Sequence, residues 1–258
     1  MRPIVYAHRG GAGLAPENTM VAFDTGLASG ADGIELDVRL SLDGEAVAMH
    51  DPTLDRTTDV TGPVDARTAA ELARLDAGYR FASDGAYPFR GRGIGVPSLG
   101  TVLDRYRDTA LLVELKSSDP RLAKAVVDAV HAAGAARRVT VGSFQKGALD
   151  AVRALDPALP TGADTDDVRT LLAGSAGGGV VVAPAYAAFQ VPEIYAGTRV
   201  VTPEFVARAH EAGIAVMVWT VNQEADMRRL LEWGVDGLIT DRPDLAVPIV
   251  RGWRAGGM

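Results

Sequence analysis

From residue 110 onward the chain alternates short apolar runs with amphipathic stretches, and this alternation restricts the fold more than any other feature. Strand-like runs fall at 110–116, 138–143, 159–163, 179–184, 214–221 and 235–240. Helical stretches lie between them at about 120–133, 146–155, 165–174, 203–212 and 223–233. Two earlier runs, 3–8 and 33–38, bring the strands to eight, and a helix capped by Asn18 or Thr19 and ending near Gly30 separates that pair. Strands joined through helices run parallel, because each crossover returns the chain to the same end of the sheet. Eight such units in 258 residues match the length of a (β/α)8 barrel, about 250 residues. The expected fold class is therefore α/β, a (β/α)8 barrel.

One region departs from the pattern. Ser41-Leu42-Asp43-Gly44 is a tight-turn signal, so the run at 46–50 is expected to fold back antiparallel on the second strand as a hairpin arm. Residues 52 to about 98 are rich in turn residues, carry one helical piece near 66–75, and read as an insertion too small to hold a core alone. No linker or internal repeat interrupts the rest, so the expectation is a single domain over 1–258 with an insertion at about 52–98.

Within the second strand, Glu35 and Asp37 lie two residues apart and share one face, opposite Ile34, Leu36 and Val38. Two adjacent carboxylates in an interior are costly unless a cation sits between them; the alternative is a solvated edge strand. Glu114 and Lys116 repeat the spacing at the end of the 110–116 run, His8 and Arg9 end the first strand, and His50 ends the arm. Functional groups of such barrels gather at the C-terminal ends of the strands. Three carboxylates, two histidines and two cations are thus expected at one rim. Three carboxylates in a chain with no cysteine make a hard oxygen site, suited to one divalent cation: Mg2+, Ca2+ or Mn2+. Arg9 and Lys116 beside it suit an anion, phosphate foremost. His8 and His50 flanking a phosphate suit a general base and a general acid, which points to phosphodiester hydrolysis.

Other residues are read more plainly. His131 and His210 fall in helices away from the rim and are taken as structural, while Asp51 is expected to face away from His50 and to serve a turn with Pro52. Gly11-Ala12-Gly13 after a strand imitates a dinucleotide-binding loop, but Pro16 stands where the third glycine belongs. The net charge of −7 argues against nucleic acid and anionic membranes as partners. No run reaches the length of a membrane span, and the N-terminus lacks the pattern of a signal peptide, so cytoplasmic residence without stable membrane association is expected. Tyr79, Phe81, Tyr87 and Phe89 in the insertion could either face an apolar ligand or pack the insertion onto the barrel, and Arg80, Arg90 and Arg92 are candidates for recognising part of a substrate.

His8-Arg9-Gly10, Pro16-Glu17-Asn18-Thr19, Glu35-Leu36-Asp37-Val38, His50-Asp51, Glu114-Leu115-Lys116 and Thr240-Asp241-Arg242-Pro243 together resemble the glycerophosphodiester phosphodiesterase family, in its order and almost end to end. The resemblance implies a TIM barrel that hydrolyses small-molecule glycerophosphodiesters to sn-glycerol 3-phosphate and an alcohol. It implies that Glu35, Asp37 and Glu114 bind the divalent ion, that His8 and His50 are the acid/base pair, and that Arg9 and Lys116 hold the phosphate. Phe144 and Trp219 match aromatic positions near the family's pocket, with strand-end packing as their other role. A lysophospholipase D-like activity on lysophospholipids is the alternative.

Overall fold

The computed structural model describes residues 2–173 and 186–253; the run at 179–184, expected to be a strand, lies outside them. Strand β1 (Ile4–Ala7) is followed by a 3-10 turn at His8–Gly10, helix α1 (Met20–Ala28), β2 (Gly33–Leu40) and the arm β3 (Ala46–Ala48). After the insertion, which carries α2 (Ala69–Leu72), come α3 (Leu99–Arg105), β4 (Ala110–Leu115), α4 (Pro120–Ala132), β5 (Val139–Gly142), α5 (Lys146–Leu155) and α6 (Thr165–Ala173). The chain continues through β6 (Ala188–Pro192), a small hairpin of β7 (Ile194–Tyr195) and β8 (Thr198–Arg199), α7 (Pro203–Glu211), β9 (Ala215–Trp219), α8 (Glu224–Glu232), β10 (Gly237–Thr240) and α9 (Pro243–Gly252). The helix starts follow from local chemistry. Thr19, Asp119 and Thr202 each accept a backbone N–H of the first turn, and Pro120 and Pro203 stand where a missing donor costs nothing.

Seven parallel strands form one curved sheet in the order β5-β4-β2-β1-β10-β9-β6, with β3 antiparallel to β2 as the turn signal predicted. The ring is completed by residues 161–162, which bridge β5 through Val141 and β6 through Ala188. Backbone N–H groups of Gly162, Ala163 and Ala187 donate across these bridges to Val141, Ala188 and Thr161 at 2.8–3.0 Å. The fifth strand-like run is therefore present as a short stave, and the stave that follows it among the described residues is 188–192.

Alternation along β2 sets the layers. Ile34, Leu36 and Val38 are fully buried outward, in a core shared with α1, α3, α4 and α5; burying each such side chain contributes about 1.5–3 kcal/mol. A second core joins β6, β9 and β10 to α7, α8 and α9. Inside the ring, Tyr6, Leu112 and Ile239 with Met217 and Trp219 form a separate apolar layer. The insertion closes on the arm: Val47 and Met49 complete its cluster of Leu54, Val64, Leu72 and Val96.

Candidate active site

The solvated-edge alternative for Glu35 and Asp37 fails, because β2 lies between β1 and β4 and the two carboxylates point into the ring at 4% and 0% exposure. Asp37 pairs in register with Glu114 of β4, which brings the third carboxylate alongside. One oxygen from each of Glu35, Asp37 and Glu114 lies within 4.8 Å of the others. The Arg9 backbone N–H donates to Glu35 Oε2 at 2.9 Å, Asn18 donates to Asp37 Oδ2 at 2.8 Å, and Lys116 Nζ stands 2.9 Å from Asp37 and 2.7 Å from Glu114. To turn its N–H inward, Arg9 adopts φ 50°, a left-handed conformation that non-glycine residues rarely hold. Gly10 follows at φ 86° because α1 packs directly on it; a Cβ there would lie 2.7 Å from backbone of Ala22.

The charges do not balance from the protein alone. Burial and the neighbouring Asp37 push the Glu35 carboxyl up to about 8, against the pull of His8 and the Arg9 N–H. Burial and Asp37 also raise Glu114, in spite of Lys116. Asp37 stays low, since Lys116, Arg9 and Asn18 outweigh its burial. Asp37 Oδ1 is buried and meets the Lys116 ammonium at 2.9 Å. Three crowded, largely buried carboxylates, two of them with raised carboxyls, form an oxygen donor set that fits a divalent cation.

His8 and His50 reach the same cavity, each held by an aspartate. His8 donates from Nδ1 to Asp241 Oδ1 at 2.6 Å, leaving Nε2 3.9 Å from Glu35. Asp241 is fixed in turn by Asn222, which donates to its Oδ2 at 2.7 Å and accepts its backbone N–H at 2.9 Å. Burial lowers His8, but Glu35 and the hydrogen bond to Asp241 outweigh it and the imidazole is raised overall. His50 donates from Nδ1 to Asp51 Oδ1 at 2.7 Å. This corrects the expectation that Asp51 faces away: regular strand ends at Ala48, so alternation no longer governs residues 50 and 51. Arg56 donates to Asp51 and, through both terminal nitrogens, to Glu17, which also accepts from Arg9 at 2.9 Å. A continuous chain of charges thus joins the two histidine-bearing segments.

His8, Arg9, Glu35, His50, Glu114 and Lys116 line one side of a cavity of about 570 Å3 at this end of the barrel. Phe144 and Trp219 line the opposite side, their rings edge to face at 5.3 Å, and the β7–β8 hairpin adds Tyr195. His131 and His210 lie elsewhere, paired with Asp156 and Asp236. Within the insertion, Phe81 meets Phe89 edge to face, and Arg90 covers Tyr79 and Tyr87. Arg80, Arg90 and Arg92 do not line the cavity. Sequence reasoning missed Asp241, Asn222 and the role of Asp51 and Glu17; the available signal was a carboxylate next to His50 in one motif and next to Arg242 in another.

Comparison with known proteins agrees with this geometry. Residues 8–245 match the model of the glycerophosphoryl diester phosphodiesterase family. A glycerophosphodiester phosphodiesterase of Caldanaerobacter subterraneus subsp. tengcongensis is 34% identical, over 97% of this chain and 99% of its own. The crystal structure of a glycerophosphodiester phosphodiesterase from Agrobacterium tumefaciens superposes with a TM-score of 0.76 at 32% identity, covering 96% of this chain and 100% of that one. A phosphodiesterase of Oleispira antarctica, solved with the product sn-glycerol-3-phosphate, gives 0.78 at 25% identity, over 97% and 98% of the two chains. The chain belongs to the glycerophosphoryl diester phosphodiesterase family.

Proposed function

We propose that the chain is a glycerophosphodiester phosphodiesterase, hydrolysing glycerophosphodiesters to sn-glycerol 3-phosphate and an alcohol. The observation that carries this reading is the meeting, in one cavity, of two aspartate-held histidines with three clustered carboxylates and two cations. Glu35, Asp37 and Glu114 would hold a divalent ion, Mg2+, Ca2+ or Mn2+, which when bound supplies positive charge to the phosphate oxygens. Arg9 and Lys116 bind the phosphate from the same side. With Asp241 and Asp51 on the Nδ1 atoms, both histidines present Nε2 for proton transfer. His8 takes the proton from the attacking hydroxyl, and His50 gives one to the departing alcohol. Neutralising Glu35 removes the largest upward pull on His8, leaving the Asp241 hydrogen bond to oppose burial. Phe144 and Trp219 form the wall against which the substrate lies. Residues 52–98 are an insertion on this single barrel domain, and its Arg56 braces the Asp51–His50 pair.

The test is release of glycerol 3-phosphate from glycerophosphocholine and glycerophosphoethanolamine, with EDTA and with each of the three ions restored. Ion-dependent release is expected; no release with any ion overturns the reading. Cyclic glycerophosphate among early products would identify the glycerol 2-hydroxyl as the attacking group, and its absence in single turnover would identify water.

A further inference from the structure

Beyond the charged rim, the cavity is lined by an uncharged side chain, Gln190, that can both donate and accept hydrogen bonds. Gln190 projects from the middle of β6 into the ring, where its register partner is Met217 of the apolar interior layer. It is half-buried, and its carboxamide has no hydrogen-bond partner among the described residues. The backbone makes room for it. A Cβ at Gly162 would stand 2.5 Å from Gln190 Oε1, and one at Gly142 would stand 3.0 Å from it. The side chain therefore lies across two neighbouring staves that carry glycine where it passes. Gly142 pairs in register with Glu114, so the strand the amide reaches adjoins the one that carries a carboxylate of the cluster. An apolar residue would fill such a slot without an unmet polar group, and a carboxamide left unpaired inside a cavity is costly unless a ligand or water meets it.

We propose that Gln190 is a specificity-determining residue that hydrogen-bonds the glycerol hydroxyls of the substrate; this rests on the hydrolase reading above. The two halves of a glycerophosphodiester impose different demands. The alcohol varies in size and must be free to extend through the mouth, past Phe144 and Tyr195, which are 48% and 58% exposed. Glycerol is constant and small, and fits the closed depth where Leu112 and Ile239 form the floor. There the carboxamide supplies both donors and an acceptor, which serve a hydroxyl in either sense. A site built to pair a hydroxyl discriminates against ligands that lack one, because its own group is then left unpaired.

The experiment is calorimetric binding of sn-glycerol 3-phosphate and of methyl phosphate, which keeps the phosphate but has no hydroxyls, to the ion-loaded chain. Gln190→Met preserves length and removes hydrogen bonding. It should weaken sn-glycerol 3-phosphate about tenfold and change methyl phosphate less than twofold. Gly162→Ala, which displaces the amide without altering it, should reproduce that selective loss. Equal weakening of both ligands, or no change in either, in both variants overturns the assignment. A wild-type chain that cleaves no glycerophosphodiester overturns the functional reading itself, and Gln190 falls with it. Turnover by the wild type with an unselective Gln190→Met overturns the Gln190 role alone.

Discussion

At the scale of residues, the site depends on how two imidazoles are held. Asp241 fixes the His8 tautomer with Nδ1 protonated, and Asn222 clamps Asp241 at both its side chain and its backbone. Asp241→Asn would present an amide that can donate to Nδ1 and so stabilise the wrong tautomer. We expect kcat to fall by about 10²–10⁴, the range of acid–base catalysis, with the affinity for the divalent ion unchanged; a loss under tenfold in steady-state turnover would rule out the orienting role. His50→Ala should lower kcat by a similar factor and leave ion binding intact by calorimetry. The acidic pattern was legible in the sequence because alternation is local: Glu35 with Asp37, and Glu114 with Lys116, declare a shared face within three residues. Asp241 was not, since it meets His8 across 233 positions and only closure of the β1–β10 pair brings them together. Gln190 escaped notice for a related reason. Its slot is made by glycines at 142 and 162, and no rule of spacing connects the three.

Among elements, the arm and the insertion do the positioning that a bare barrel rim cannot. His50 lies past the end of β3, its carbonyl accepts from Arg39 of β2 at 2.8 Å, and its imidazole is braced through Asp51 by Arg56. Burial alone would raise Asp51 and Glu17, but the Arg56 hydrogen bonds and their neighbours hold Asp51 down at about 2 and Glu17 below its usual value. A carboxylate lowered in the folded state stabilises above its unfolded value, about 4, and that contribution is lost as pH falls through the lowered value. Arg56→Ala should therefore cost under about 1 kcal/mol at neutral pH, since the arginine is half exposed. It should also flatten the loss of stability between about pH 4 and 2. Denaturant titrations at pH 7 and pH 3 measure both; an unchanged difference between wild type and variant at the two pH values would refute the coupling. The elements themselves were readable wherever caps and periodicity agreed, as in α4 and α7. They were harder to read where polar residues fill a strand: Ala188-Phe189-Gln190-Val191-Pro192 carries a glutamine and a proline that imitate a loop, yet it forms the stave against β9.

For the molecule as a whole, the barrel gathers its least stable charges at one end and invests the rest in two outer apolar cores. No helix among the described residues is long and apolar enough to cross a membrane. The crowded carboxylates make stability and ion binding opposing quantities at the same atoms. With its carboxyl raised to about 8, Glu35 destabilises the ion-free fold as pH climbs from its unfolded value, and the cost is complete above the raised value. Glu35→Gln removes that cost, so the ion-free variant should melt higher than the wild type at pH 8.5. A divalent ion reverses the order. At a hundredfold excess over Kd it stabilises the wild type by about 2.7 kcal/mol, which for a chain of this size raises Tm by roughly 5–10 °C. The variant, lacking one of three anionic oxygen ligands, should show a much smaller rise. The measurement is thermal unfolding of both proteins with EDTA and with Mg2+, Ca2+ or Mn2+, against sodium chloride of matched ionic strength. Opposite signs for the two comparisons identify an ion held at Glu35. If sodium chloride gives the same rise, the effect is screening, and if Glu35→Gln keeps the full shift, the ion sits elsewhere.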